Sequence, residues 1–244
     1  MTELARALGH APSAEPWVVA ASAAVGLSLV VVPMAWSVSR HVATIVHEAG
    51  HALTALLTGR RLAGIRLHSD SSGVTVSLGR PRGPGMVLML AAGYPAPALL
   101  GLGAAALLAA GQTTALLWLV VVLLGAVLLQ IRNWFGAWSV LVCGGVVFAV
   151  TWWLPVSVQT GFGYALTWFL LFAGPREVVG LYAARHGGRG GRGGRGRSGR
   201  RGRGARGSDA DQLARLTHLP AGLWVAGFFL LSLLTTAAGS WLIV

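Results

Sequence analysis

The sequence predicts an all-α polytopic membrane protein with about six to seven transmembrane helices and one small β-hairpin. Three observations support this fold class: a low content of charge, several long apolar runs, and one short stretch in which apolar and polar residues alternate. Of the 244 residues, 55% are hydrophobic and only 11% are charged, whereas about a quarter of the residues in soluble domains are charged. A single soluble core could not bury this much apolar surface, so we expect the lipid bilayer to surround most of the chain.

Seven apolar runs are candidate spans, because a bilayer core about 30 Å thick needs roughly 20 apolar residues per helix. They are residues 17–38, 41–58, 85–110, 114–131, 133–154, 161–184 and 219–244. The first run is longer than the apolar part of a signal peptide, which favours a helix that stays in the protein. Gly93 and Pro95 fall inside the third run, and we expect them to kink or unwind that helix.

Residues 62–78 alternate between apolar and polar side chains instead of forming a continuous apolar run. The apolar members of the alternation are Ile65, Leu67, Val74, Val76 and Leu78. They flank the turn-forming sequence at 69–73, so the pattern predicts a β-hairpin. Its position in the chain suggests that it lies on the cytoplasmic side, just after the helix predicted at 41–58.

The arginines predict the orientation of the chain in a cell membrane. When the loops between spans are assigned to alternate sides, nearly all the arginines fall on the side of the N-terminus. The positive-inside rule therefore predicts a cytoplasmic N-terminus and an extracytoplasmic C-terminus. Residues 1–16 are then a cytoplasmic tail, and residues 17–184 are the membrane domain.

Residues 185–207 form a Gly/Arg-rich segment that accounts for most of the net charge of +12. Removing the eight arginines at 187–207 leaves a charge of only +4. Low-complexity sequence of this kind cannot bury a core, so we expect a disordered cytoplasmic loop that touches anionic lipid head groups. No aromatic residue is interleaved with the arginines to stack on bases, so nucleic-acid binding is not expected.

The chemistry of the sequence is concentrated in His47-Glu48-Ala49-Gly50-His51, inside the predicted helix 41–58. Residues four apart share a helix face, so His47 and His51 can bind one metal ion together. Glu48 is adjacent and can act as a general base on water that the metal activates. A carboxylate within a membrane helix is costly unless a partner or a function retains it. A polar helix–helix contact without metal is the simpler interpretation of the same residues.

A zinc ion held by two histidines needs a third protein ligand, with one position left for water. The single cysteine excludes a cysteine cluster, so any metal must be held by histidines and carboxylates. The candidates are Asp70, Glu177, Asp209 and Asp211. Ser208 with Asp211 also matches a helix capping box, which explains that acid without a metal. Residues 208–244 are therefore predicted to hold a metal-ligand segment followed by the last transmembrane helix. Residues 208–218 would have to dip into the bundle to meet the histidines, with Pro220 allowing a break before that helix.

Four features resemble the M50 family of intramembrane zinc metallopeptidases, of the site-2 protease type. They are HEAGH within a membrane helix, the hairpin after it, AAGYPAP at 91–97 and SDADQL at 208–213. The resemblance is closest to the M50B-like bacterial branch, which implies a bacterial plasma membrane. It implies one zinc ion bound by His47 and His51, with Glu48 activating water. It also implies a late aspartate as third ligand, with Asp209 the better match and Asp211 the alternative.

The resemblance therefore predicts a zinc metalloendopeptidase that hydrolyses peptide bonds of membrane-embedded protein substrates. The alternative is a catalytically silent M50-like scaffold or regulatory binding protein. A transporter that uses the motif as a proton site is a third possibility, although no second buried acid–base pair is evident in the sequence. The third metal ligand discriminates between these hypotheses.

Overall fold

The computed structural model describes residues 14–186 and 207–244, which contain nine helices and two strands. They are α1 (Pro16–Val31), α2 (Pro33–Leu57), β1 (Arg61–Leu67), β2 (Gly73–Leu78), α3 (Pro84–Ala92), α4 (Ala96–Ala109), α5 (Thr113–Gln130), α6 (Trp134–Trp153), α7 (Val156–His186), α8 (Asp209–Thr217) and α9 (Ala221–Ile243). Most of the predicted tail 1–16 and of the predicted Gly/Arg-rich loop 185–207 lies outside the described residues.

The described helices fit the predicted class of membrane protein. α5, α6, α7 and α9 are each long and apolar enough to cross a bilayer. Two further candidate spans are bent pairs, α1 with α2 and α3 with α4, so the total is four to six. The prediction of an all-α polytopic fold with one small hairpin is confirmed.

The first bent pair differs from the prediction of separate helices at 17–38 and 41–58. The break falls at Val32, which is extended with φ −72° and ψ 120°, and α2 begins with Pro33. Proline disfavours the helical conformation in the residue before it but suits the first turn of a helix. The motif helix therefore begins at Pro33 rather than at residue 41, and it meets α1 at 95°.

The second bent pair confirms the interruption expected in the apolar run 85–110. α3 ends at Ala92, α4 begins at Ala96, and the two axes differ by 71°. Pro95 precedes the first residue of α4, where its missing N–H removes no helical hydrogen bond. The bend brings Gly93 and Tyr94 beside the motif helix.

The hairpin is antiparallel, and Ile65 pairs with Thr75 in its register. Its position in the chain suggested a hairpin beyond the end of α2, but the hairpin is not confined to that region. After the reversal at Gly59, which has φ +73°, the hairpin runs back along the helix. Its tip is held where the Thr44 hydroxyl donates to the Ser71 carbonyl at 3.0 Å. As a result, β2 lies beside the HEAGH residues.

α7 is the central helix of the described bundle, and it packs against α1, α4 and α9. In the most apolar stretch of α7, half of the residues are buried inside the protein. In the corresponding stretches of α5, α6 and α9, only about a quarter of the residues are buried. It is continuous from Val156 to His186, and Glu177 lies close to its C-terminal end.

α8 is a short amphipathic helix that ends where His218 adopts the left-handed conformation, with φ +62°. Pro220 then precedes α9, so the break expected at this proline is present. Ala210 and Leu213 are fully buried against Leu90 of α3, Val178 of α7 and residues of α9. This packing fixes the N-terminus of α8 against the bundle.

Candidate functional site

α2 presents His47 and His51 on one face, one helical turn apart. Their Nε2 atoms are 3.1 Å apart, and the two rings meet edge to face with centroids 4.8 Å apart. The helical spacing alone accounts for this pairing.

The N-terminus of α8 brings a carboxylate to the same point. Asp209 Oδ2 lies 3.2 Å from His47 Nε2 and 3.2 Å from His51 Nε2. One ligand-type atom from each of the three residues falls within 4.8 Å of the other two. Among the described residues, this is the group of three whose donor atoms are close enough to hold one metal ion.

The other carboxylates considered as a third ligand have different partners. Asp211 accepts a hydrogen bond from Arg185 at 2.6 Å and one from the Ser208 hydroxyl at 2.9 Å. Asp70 lies in the hairpin turn, where hydrogen bonds from Ser72 hold its pKa below the usual value. Neither belongs to the cluster around the two histidines.

The back of each imidazole faces a different acceptor. His51 Nδ1 lies 2.7 Å from the backbone carbonyl of Met89. A carbonyl only accepts, so Nδ1 carries the proton and the neutral ring has its lone pair on Nε2. His47 Nδ1 instead faces the carboxylate of Glu177, with Oε2 at 3.7 Å. Glu177 is thus on the far side of the His47 ring from Asp209.

Glu48 is buried, with only 4% of the residue exposed. The Thr75 hydroxyl donates to Glu48 Oε2 at 2.6 Å and also lies 3.1 Å from the Glu48 backbone carbonyl. This contact follows from the way in which β2 runs along α2.

Sequence reasoning missed Thr75 and the Met89 carbonyl. A backbone carbonyl leaves no side-chain signal in the sequence, and the contact of Thr75 with Glu48 depends on how the hairpin docks.

Gly93 occupies the bend between α3 and α4 and lies against both histidines. A Cβ added there would lie 2.5 Å from His51 Nε2 and 2.6 Å from His47 Nε2. The neighbouring Tyr94 ring meets the His47 ring edge to face, with the two ring centroids 4.7 Å apart. Tyr94 also stacks on Phe228. The absence of a side chain at residue 93 therefore leaves the space in front of the two Nε2 atoms open.

The two histidines, Tyr94 and three carboxylates line one cavity of about 840 Å³. Its walls come from α2, β2, α3, α7 and the N-terminus of α8. The cavity is large enough for a stretch of peptide, since ligand pockets span roughly 300–1,000 Å³. Three carboxylates from distant parts of the chain, Glu48, Glu177 and Asp209, face it.

A family model described as Peptidase M50B-like matches residues 20–239 of the sequence. The chain belongs to this family. All the residues of the histidine–aspartate cluster in this M50B-like protein fall inside the matched range, as does Glu48. Membership makes the protein one of a family of membrane metallopeptidases, as the motif resemblance implied. Among curated proteins and among solved structures, the comparisons found no significant match.

Proposed function

We propose that this M50B-like protein is an intramembrane zinc metalloendopeptidase that cleaves membrane-embedded segments of other proteins. The observation that carries the proposal is the meeting of His47, His51 and Asp209 beside the buried Glu48 in one cavity. Asp209 is 162 residues from His47 in sequence, so helical periodicity alone does not produce the meeting.

The donor set fits a zinc ion. Two imidazole nitrogens and one carboxylate oxygen are the ligand types of hydrolytic zinc sites, which keep a fourth position open. The hydrogen bond to the Met89 carbonyl leaves the lone pair of His51 Nε2 facing Asp209 Oδ2 at 3.2 Å. Two acceptors at that distance repel each other unless a proton or a metal ion lies between them, and a zinc ion meets this requirement.

The charges around the cavity also favour a dication. None of the carboxylates of Glu48, Glu177 and Asp209 forms an ion pair with an arginine in residues 14–186 and 207–244. Arg185 is paired with Asp211, and the arginines that line the cavity, Arg40, Arg60 and Arg176, form no ion pair with these carboxylates among the described residues. The ion-pair partners of Glu177 and Asp209 are the histidines themselves. Carboxylates that are largely shielded from water are costly, and a bound metal ion adds positive charge that offsets the cost.

Zinc, when bound, supplies Lewis acidity that lowers the pKa of water and polarises a carbonyl. Glu48 accepts the proton from the attacking water and delivers it to the amine of the leaving peptide. The Thr75 hydroxyl holds Oε2 of that carboxylate, so Oε1 remains available for the proton. His47, His51 and Asp209 would hold the metal in the same cavity as Glu48.

The proposed setting is a multi-pass protein of the bacterial plasma membrane, with a cytoplasmic N-terminus and an extracytoplasmic C-terminus. Its substrates are proteins with a segment in the same bilayer. The Arg-rich residues 185–207 would contact anionic lipid head groups. Support for this orientation comes from the distribution of arginine along the chain.

Metal analysis of the purified protein tests the proposed site directly. We expect about one zinc per chain in the wild type and loss of that zinc in His47→Ala and in Asp209→Asn, because each removes one of only three protein ligands. Asp211→Asn is the matched control: it alters an acid on the same helix that pairs with Arg185 instead, and it should retain zinc. Retention of zinc by a His47→Ala/His51→Ala double variant would contradict the site.

The same preparations distinguish the enzyme from the silent scaffold. A scaffold can bind zinc, but it does not hydrolyse a transmembrane peptide when reconstituted with it in liposomes. An enzyme does so, and it stops when zinc is removed by a chelator and resumes when zinc is returned.

Thr75→Val should slow hydrolysis roughly 10- to 100-fold while leaving the zinc content unchanged. The variant keeps the shape of the side chain but removes its hydrogen bond to Glu48, and bonds to charged groups contribute about 1.5–3 kcal/mol. The measurement is kcat on a reconstituted transmembrane peptide. Thr75→Ser restores the hydroxyl and should recover most of the rate. If the Val variant and the wild type hydrolysed the peptide at equal rates, the Thr75 hydroxyl would not be needed to position Glu48.

A further inference from the structure

Glu177 is a largely buried acid that the proposed chemistry leaves without a role. Its side chain is 13% exposed, and Oε2 has no hydrogen-bond partner among the described residues. An unpaired carboxylate oxygen in a buried position is costly, and the cost favours a partner that appears when the site is loaded. The nearest candidate is Nδ1 of His47, at 3.7 Å.

We propose that Glu177 is the positioning residue of the metal centre, whose carboxylate accepts the Nδ1–H of His47 once Nε2 of that ring holds the metal. The proposal rests on the metal site proposed above. Histidines that bind metals usually donate their other N–H to a carboxylate or a carbonyl, which fixes the tautomer and the ring orientation. His51 already has such a partner in the Met89 carbonyl. Glu177 supplies the corresponding acceptor for His47.

The Met89 carbonyl is neutral and the Glu177 carboxylate is charged, so we expect them to affect their histidines differently. A neutral carbonyl orients His51 without altering its electron density strongly. The Glu177 carboxylate makes the His47 imidazole a more basic ligand and strengthens its bond to the metal. It also comes from α7, the central helix, so a rigid element of the fold holds it. Closing the gap to about 2.8 Å, the usual length of a charged hydrogen bond, needs only a small side-chain adjustment.

Metal affinity tests the proposal without any substrate. Glu177→Gln and Glu177→Ala are titrated with Zn²⁺ against a competing chelator, and their Co²⁺ forms are compared by absorption spectroscopy. We expect Zn²⁺ affinity to fall 10- to 100-fold in the Ala variant. The Gln variant keeps an oxygen acceptor but loses the charge, so its affinity should lie between those of wild type and Ala. The Co²⁺ bands should shift in both variants.

Glu48→Gln is the matched control, because it removes one carboxylate charge from the same cavity without touching the back of a histidine. If the field of the cavity alone attracted the metal, Glu48→Gln and Glu177→Gln would weaken binding equally. The proposal expects weakening in Glu177→Gln only. Equal affinities in the two variants would overturn it.

The unfolding temperature of the metal-free proteins separates positioning from a structural role. Without metal, Oε2 of Glu177 is buried and has no hydrogen-bond partner among the described residues, so Glu177→Gln should leave the metal-free protein as stable as wild type or more so. A structural role predicts a less stable metal-free protein and an unchanged affinity. Wild-type affinity in both Glu177 variants, together with zinc loss in His47→Ala, would refute the positioning role and leave the metal site intact.

Discussion

Glu48→Gln should abolish detectable hydrolysis while the protein keeps its zinc. The amide has the size of the carboxylate, but it cannot take a proton from water at neutral pH. General bases contribute about 10²- to 10⁴-fold to such reactions, so a fall in kcat of at least 100-fold is expected. Because Glu48 is outside the cluster of His47, His51 and Asp209, its replacement removes no metal ligand.

The measurement combines zinc content with cleavage of a reconstituted transmembrane peptide. Asp211→Asn serves as the control for a carboxylate-to-amide change near the site, and it should cleave at close to the wild-type rate. Full hydrolysis by Glu48→Gln would exclude this residue as the base. Loss of zinc in the variant would instead mean that Glu48 is a ligand.

Gly93→Ala should reduce both the affinity for zinc and the rate of hydrolysis, although it adds only one methyl group. That methyl would lie 2.5 to 2.6 Å from the Nε2 atoms of His51 and His47, closer than carbon and nitrogen can approach. Either the imidazoles or the bend between α3 and α4 must move. Displacing catalytic groups by about 1 Å can reduce a rate 100-fold, and a loss of that size is expected in kcat/KM.

Gly103→Ala provides the control in the adjoining helix α4. A Cβ at Gly103 meets no atom within 4 Å, and alanine favours a helix over glycine by roughly 0.5–1 kcal/mol. This control should therefore bind zinc as wild type does and unfold at the same or a higher temperature. Wild-type zinc affinity in Gly93→Ala would mean that the space beside the histidines is not needed for the metal.

The local features of the site could be predicted from sequence. His47 and His51 come together through helical periodicity, and the hairpin follows from alternating residues. The break at Val32 was missed, although Pro33 carries the signal: the residue before a proline tends to leave the helix. The run 17–38 is uncharged throughout, and its composition outweighed that local preference.

The long-range features depended on packing that no local pattern encodes. Asp209 was selected over Asp211 through family resemblance. The structure adds the physical difference, which is that Ala210 and Leu213 pack inward while Arg185 holds Asp211. Glu177 was considered a possible ligand from its charge alone. Its position behind His47 depends on how α7 crosses α2, which the sequence does not express.

The distance along the chain between the two halves of the metal site has a consequence for biosynthesis. His47 and His51 leave the ribosome long before Asp209, which follows His47 by 162 residues. With only the two histidines in place, a nascent chain of the proposed enzyme would hold metal weakly and would have no complete hydrolytic centre. An intramembrane protease built in this order would stay inert while its own helices insert one by one, and it would become active only when the segment that carries Asp209 docks.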